Sequence, residues 1–246
     1  MSRFMTRVLL LLMIAVPAAA AEPDWSTYDA ILKAHVRQGS INGTPLNVVD
    51  YAAIAEDERF ARVVDDVRNF DVRTLDGQAE HLAFYINAYN ILTIQLILDH
   101  WPLESIRDIG GFFKGPWDIV MLENADGELT LDDIEHEIIR GFPEPRIHFA
   151  VNCASVGCPD LRDEPFTAGR LDEQLDDQTR RFFANEAKGF RVEDGDARVT
   201  KLLRWYDEDF DASGGIAAFV RRYVEAPFDD ISANLPYDWQ LNDAGD

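Results

Sequence analysis

Residues 82–98 read LAFYINAYNILTIQLIL, and the character of this stretch decides the fold. A helix drawn through it is apolar around nearly its whole circumference, so the rest of the chain must cover it on all sides. Asn87, Asn90 and Gln95 interrupt the run, and polar amides at those positions argue against a transmembrane span. The pattern predicts a long buried core helix, capped by Asp76 and running to about His100, just before Pro102. Asn87 and Asn90 stand three apart in it, and a buried amide without a partner costs about 1–3 kcal/mol. Two readings stay open for them. They pin the backbone of a loop, such as the Gly110–Trp117 turn, or they reach a pocket to orient a histidine or stabilise an oxyanion.

Upstream of the core helix, Trp25 to Val36 reads as an amphipathic helix, Gln38 to Pro45 as a turn-rich stretch, and Asp50 to Phe70 as helical. Downstream, GGFFKGPW (residues 110–117) is an aromatic, Gly-rich loop. A strand over Asp118–Leu122, a turn at Asp126-Gly127 and a second short strand follow. Thr130 and Asp133 make a capping pair for a helix from Leu131 to Arg140, with Leu131, Ile134, Ile138 and Phe142 on one side. Arg146 to Asn152 reads as a strand. Beyond Pro159 the pattern gives a helix over about Ala168–Asn185, a hairpin at Asp194-Gly195-Asp196, and two more short helices. Helices and short strands mingle without a βαβ alternation. The expected fold is therefore α+β: a helix-rich single domain over residues 22–246, its long buried helix packed on a small, mostly antiparallel sheet.

Residues 1–21 read as an export signal. Arg3 and Arg7 precede an unbroken apolar run, VLLLLMIAV, and Ala18 to Ala21 supply small residues for cleavage after Ala21 or one residue earlier. A membrane span needs roughly 20 apolar residues, which makes this segment too short for a permanent anchor. The expected location is periplasmic or secreted. Losing this segment removes two Arg and no acid, so the full-chain charge of -22 becomes -24. A surface that acidic repels nucleic acid and anionic membrane. At 47% hydrophobic and 11% aromatic, the chain has the composition of a folded domain rather than a disordered acidic tail.

The chain has two cysteines, Cys153 and Cys158, within RIHFAVNCASVGCPDLR (residues 146–162). Together with FYINAYN (84–90) and LTLDDIEHEIIRG (129–141), in that order, this block resembles the family known as domain of unknown function 547. The resemblance runs from about Gln78 to Phe190, with GPW (115–117) and KLLRWYDEDF (201–210) extending it. It implies a shared fold and brings no agreed activity. The residues it carries over are Asn87, Asn90, His136, His148, Cys153 and Cys158.

Cys153 has three readings. As a nucleophile it needs a lowered thiol pKa and a histidine within reach. On a strand, His148 would lie about 16 Å away and point to the opposite face, the position of a core histidine. His136, on the polar side of its helix, is the better-placed base, and His81 is a further candidate. Alternatively, Cys153 and Cys158 form a structural disulfide, or Cys153 is a small packing residue. No His or Cys spacing suits zinc, and no phosphate loop or dinucleotide fingerprint occurs, so no metal or cofactor is expected. Asp207, Asp209 and Asp211 imitate a calcium loop, but Ala212 and Ala218 stand where it needs Gly and Glu. They read as a solvated charge run.

Two functions remain. One is a thiol-dependent hydrolase or acyl transferase with Cys153 as nucleophile, His136 as base and Asn87 as an orienting group. The other is a non-catalytic binding or scaffolding module with a Cys153–Cys158 disulfide, whose aromatic loop (Phe112, Phe113, Trp117) contacts a small molecule, peptide or protein.

Overall fold

The computed structural model describes residues 22–111, 114–124 and 127–245. The export segment, Phe112, Phe113 and Asp126 lie outside the described residues. The first described elements are α1 (Ser26–His35) and a hairpin of β1 (Val36–Ile41) and β2 (Thr44–Val49). The hairpin replaces the expected turn-rich stretch. Asn42 and Gly43 both have positive φ, 50° and 81°, the pairing that a two-residue turn between twisted strands demands. Two short helices, α2 (Tyr51–Glu56) and α3 (Glu58–Asn69), follow. Asp50 and Asp57 cap them by accepting from the backbone N–H of Ala53 and Arg59.

α4 (Gln78–Asp99) is the expected core helix, and the run from Leu82 to Ile94 is buried without interruption. It is long and apolar enough to cross a membrane, yet most of it lies inside the domain. Its cap differs from the expectation: Glu80 reaches back to accept from the N–H of both Asp76 and Gly77, so Asp76 is a recipient rather than the cap. α2, α3 and most of the chain up to Leu175 pack around α4 in one hydrophobic cluster.

β3 (Val120–Asn124) and β4 (Gly127–Thr130) form a second antiparallel hairpin. After it, Thr130 and Asp133 cap each other reciprocally as expected. The helix they start is not regular: residues 133–138 widen into a π-type turn before a tight turn at 139–141. The inward stripe consequently ends on Ile139, fully buried, rather than on Ile138. The expected strand over Arg146–Asn152 is instead a turn of 3-10 helix, Pro145–Phe149. Glu144 caps it by accepting from Arg146 N–H, and Pro145 supplies a preset first helical position.

A second, aromatic cluster gathers around Phe149. It draws on α5 (Leu171–Ala184), β5 (Phe190–Glu193), β6 (Asp196–Thr200), α6 (Leu202–Trp205) and α7 (Ile216–Val220). β7 (Ile231–Leu235), not anticipated, pairs parallel with β6 beside the antiparallel β5–β6 hairpin. The fold is α+β with helix predominating, and among the described residues its strands form three small sheets rather than one.

Candidate functional site

The site begins with a turn that α4 fixes. Asn90 Nδ2 donates to Ala150 O at 3.0 Å, and Asn90 Oδ1 accepts from Asn152 N at 2.8 Å. Asn152 in turn clamps the cysteine loop, accepting from Ala154 N and donating to Pro159 O at 2.7 Å. Asn87 performs the same double clamp on Phe166, through its N–H and its carbonyl. Both amides therefore hold backbone, and the loop they hold is 150–166 rather than Gly110–Trp117. Within the turn Ala154 takes a left-handed φ of 58°, a conformation costing a non-glycine residue about 1–2 kcal/mol. Lys188, buried on the far side, offsets this by donating to the carbonyls of Val156 and Cys158 and to Asp160.

This turn presents Cys153 to a cavity of about 220 Å³, also lined by His136, His148, Glu135, Tyr206, Tyr237 and Trp117. Replacing the strand by a 3-10 turn is what brings His148 here. It is almost completely buried, and its ring stacks on Tyr206 with centroids 4.2 Å apart. His148 Nε2 donates to Asp209 Oδ2 at 2.6 Å. Because a carboxylate only accepts, the proton sits on Nε2 and the lone pair on Nδ1. Asp209 is also gripped by the Arg140 guanidinium at 2.7 and 2.9 Å. The bonds from His148 and Arg140 hold its carboxyl well below the usual carboxylate range, against the opposing effect of burial.

His136 lines the cavity, with its side chain about one-third exposed. Arg140 donates to His136 Nδ1 at 2.8 Å, and Nε2 faces Asp132 at 3.5 Å. An arginine cannot accept, so Nδ1 holds the lone pair and is already occupied. Glu135, buried on the same wide turn, accepts from Tyr206 OH at 2.7 Å. His81 does not reach the cavity; its Nδ1 meets Gly77 O one turn back along α4.

Cys153 and Cys158 are thiols with their sulfurs 2.7 Å apart. Cys153 Sγ also meets Tyr237 OH at 3.1 Å and Ser155 Oγ at 3.4 Å. No histidine bonds to it among the described residues. At a separation of 2.7 Å the ionisation of one sulfur bears directly on the other. Cys153 is the more acidic of the two: the bond from Cys158 lowers its pKa, burial opposes, and the Ser155 and Tyr237 hydroxyls add to the lowering. Burial and the neighbouring thiolate push Cys158 well up. Cys153 is half-buried and Cys158 buried.

Residues 72–183 match the model of a family described as "Protein of unknown function, DUF547". Over that segment the chain is similar to the DUF547 family. No curated protein and no solved structure matches the chain. The DUF547 segment holds Asn87, Asn90, Trp117, His136, His148 and both cysteines, whereas Tyr206, Asp209 and Tyr237 follow it in sequence. Sequence reasoning missed these three and Glu135. Asp209 was expected in a solvated run; its role depends on partners more than sixty residues away. The family resemblance through KLLRWYDEDF was the available sign for Tyr206 and Asp209. Tyr237 had none. No group of three or more His, Cys, Asp or Glu is placed to hold a metal among the described residues.

Proposed function

We propose that this domain is a thiol-dependent hydrolase or acyl transferase, with Cys153 as nucleophile and His148 as a base oriented by Asp209. One observation carries the reading: a thiol of lowered pKa and a carboxylate-held histidine line the same small cavity. The tautomer set by Asp209 leaves the His148 Nδ1 lone pair free for a proton, the logic of a Ser/Cys–His–Asp triad. His148 replaces His136 as the base, because Arg140 already occupies the His136 lone pair. The absence of a direct Cys153–histidine bond is compatible with this role, since catalytic hydrogen bonds often tighten only when substrate is present.

In the reaction, the Cys153 proton passes to His148 and Sγ attacks an acyl carbon. The bond to the amine or alcohol leaving group breaks, and that group takes the proton back from His148. The thioester then passes its acyl group to water in a hydrolase, or to a second nucleophile in a transferase. Reduced full-length protein treated with p-nitrophenyl acetate should gain one acetyl group on Cys153, read by peptide mass, and Cys153→Ser should gain none there. Acetylation elsewhere with Cys153 untouched would sink the reading.

The sulfur separation of 2.7 Å supports a second reading, the scaffolding module. In it, Cys153 and Cys158 are joined in the native protein, and Trp117, Trp205 and Trp239 around the cavity form a contact surface. Quantitative disulfide in natively expressed protein, with no thiol open to alkylation, would favour it over the enzyme.

A further inference from the structure

We infer that Tyr237 is a catalytic residue of this site, its hydroxyl donating first to the Cys153 thiolate and then to the oxyanion of the acyl intermediate. The inference rests on the acyl-transfer reading above and adds a residue that lies beyond the DUF547 segment. Tyr237 reaches the sulfur because the chain after β7 runs back along the cysteine turn. Val156 N donates to Gln240 O, Gly157 N to Asp238 O at 2.8 Å, and Asn242 N to Ala154 O. The approach is so close that a Cβ on Gly157 would stand 2.8 Å from Asp238 N, so this position admits only glycine without backbone movement. The phenol ring packs against both Trp205 and Trp239, with centroids 4.9 and 4.7 Å away.

The hydrogen-bond directions then follow. Tyr237 OH stands 3.1 Å from Cys153 Sγ, nearer than Ser155 Oγ, which is 3.4 Å from both the sulfur and the phenol oxygen, so the phenol proton is the closer hydroxyl donor to a thiolate at Cys153. Thiol enzymes commonly draw oxyanion donors from backbone N–H groups at the nucleophile. Here the two nearest are engaged: Cys153 N–H donates to Cys158 Sγ at 2.9 Å, and Ala154 N–H to Asn152 Oδ1 at 3.0 Å. The Tyr237 hydroxyl is the nearest hydroxyl at the sulfur. Desolvation and the adjacent thiols push its ionisation well above that of an ordinary phenol, so it keeps its proton and donates. When Sγ bonds the acyl carbon, the thiolate charge disappears and the carbonyl π pair moves onto oxygen. The O–H turns to that oxygen and transfers no proton. Collapse returns the pair, re-forms the carbonyl and expels the leaving group.

The test compares two reactions at one sulfur in full-length Tyr237→Phe. Alkylation by iodoacetamide passes through no oxyanion and reads the thiolate contact alone. Acetylation by p-nitrophenyl acetate reads thiolate and oxyanion together. The half-point of Cys153 alkylation should move up by about one pH unit, a tenfold loss of thiolate at neutral pH. Acetylation at a pH where the thiol is fully ionised should still fall by about 10²-fold, the loss of one oxyanion donor. If Tyr237→Phe fails to fold, incorporation of 3,5-difluorotyrosine at 237 keeps the ring and makes the phenol more acidic, and should shift both rates. An unchanged alkylation profile together with unchanged acetylation at full ionisation overturns the inference. A wild type that alkylates at Cys153 yet is never acetylated overturns the acyl-transfer reading and the oxyanion role with it; the alkylation profile still decides the thiolate contact.

Discussion

Asp209 accepts from two side chains at once, His148 Nε2 at 2.6 Å and the Arg140 guanidinium at 2.7 Å. Its side chain is only 20% exposed, so solvent does little to replace either bond. Asp209→Asn keeps the shape and removes the charge, and its amide can donate to His148 and reverse the tautomer. We expect Cys153 acetylation to fall by about 10³-fold or more, as befits a lost triad orienter. We also expect a stability loss of about 2 kcal/mol, the scale of a charged hydrogen bond, visible in urea unfolding. Acetylation at the wild-type rate would remove Asp209 from the mechanism. Nothing beside Asp209 in sequence sets it apart from Asp207 and Asp211, because what distinguishes it is the arrival of His148 from 61 residues away. His136 was legible as solvent-facing or cleft-facing because its helix face was polar. Its occupation by Arg140 was not, since a one-dimensional pattern does not say which of two close groups donates.

At the scale of elements, α4 matters less as a spacer than as a clamp. Asn87 and Asn90 each close a pair of bonds to backbone, at Phe166 and at Ala150 with Asn152. Asn87→Leu and Asn90→Leu would each leave a buried N–H and a buried carbonyl unpaired, at about 1–3 kcal/mol per orphaned group. Both should melt clearly below the wild type in thermal unfolding. Asn90→Leu should also slow Cys153 alkylation, because Asn90 holds the residue preceding the nucleophile; Asn87→Leu should slow it less. Two melts within error of wild type would contradict the pairing. The helix itself was readable because an apolar circumference over so long a run has few other solutions. The 146–149 segment was misread because its apolar residues alternate as a strand's do, while the Glu144-Pro145 start argued the other way. The β1–β2 hairpin was missed although Asn42-Gly43 carries the turn chemistry for it.

For the whole molecule, the candidate site is an assembly of parts distant in sequence. The DUF547 segment supplies the cysteine turn and the histidines, and the chain after it supplies Tyr206, Asp209 and Tyr237. The α+β class and the Cys-bearing turn were legible because each follows from local pattern. The second half of the site was not: the returning chain after β7 has no periodicity, and it is placed by backbone bonds to the turn it covers. What the parts achieve together is an inequality between two cysteines five positions apart. Cys153 is half-buried and its pKa is lowered by Cys158, Ser155 and Tyr237, while burial pushes Cys158 the other way. A thiol of lowered pKa keeps its thiolate as pH falls and loses reactivity only below that pKa. The most direct measurement is therefore the iodoacetamide labelling rate of each cysteine against pH, by peptide mass, in reduced full-length protein. Cys153 should reach half its maximal rate below the ordinary thiol value of about 8.5, with Cys158 far slower throughout. Equal rates for the two thiols, both rising at the ordinary value, would contradict the account.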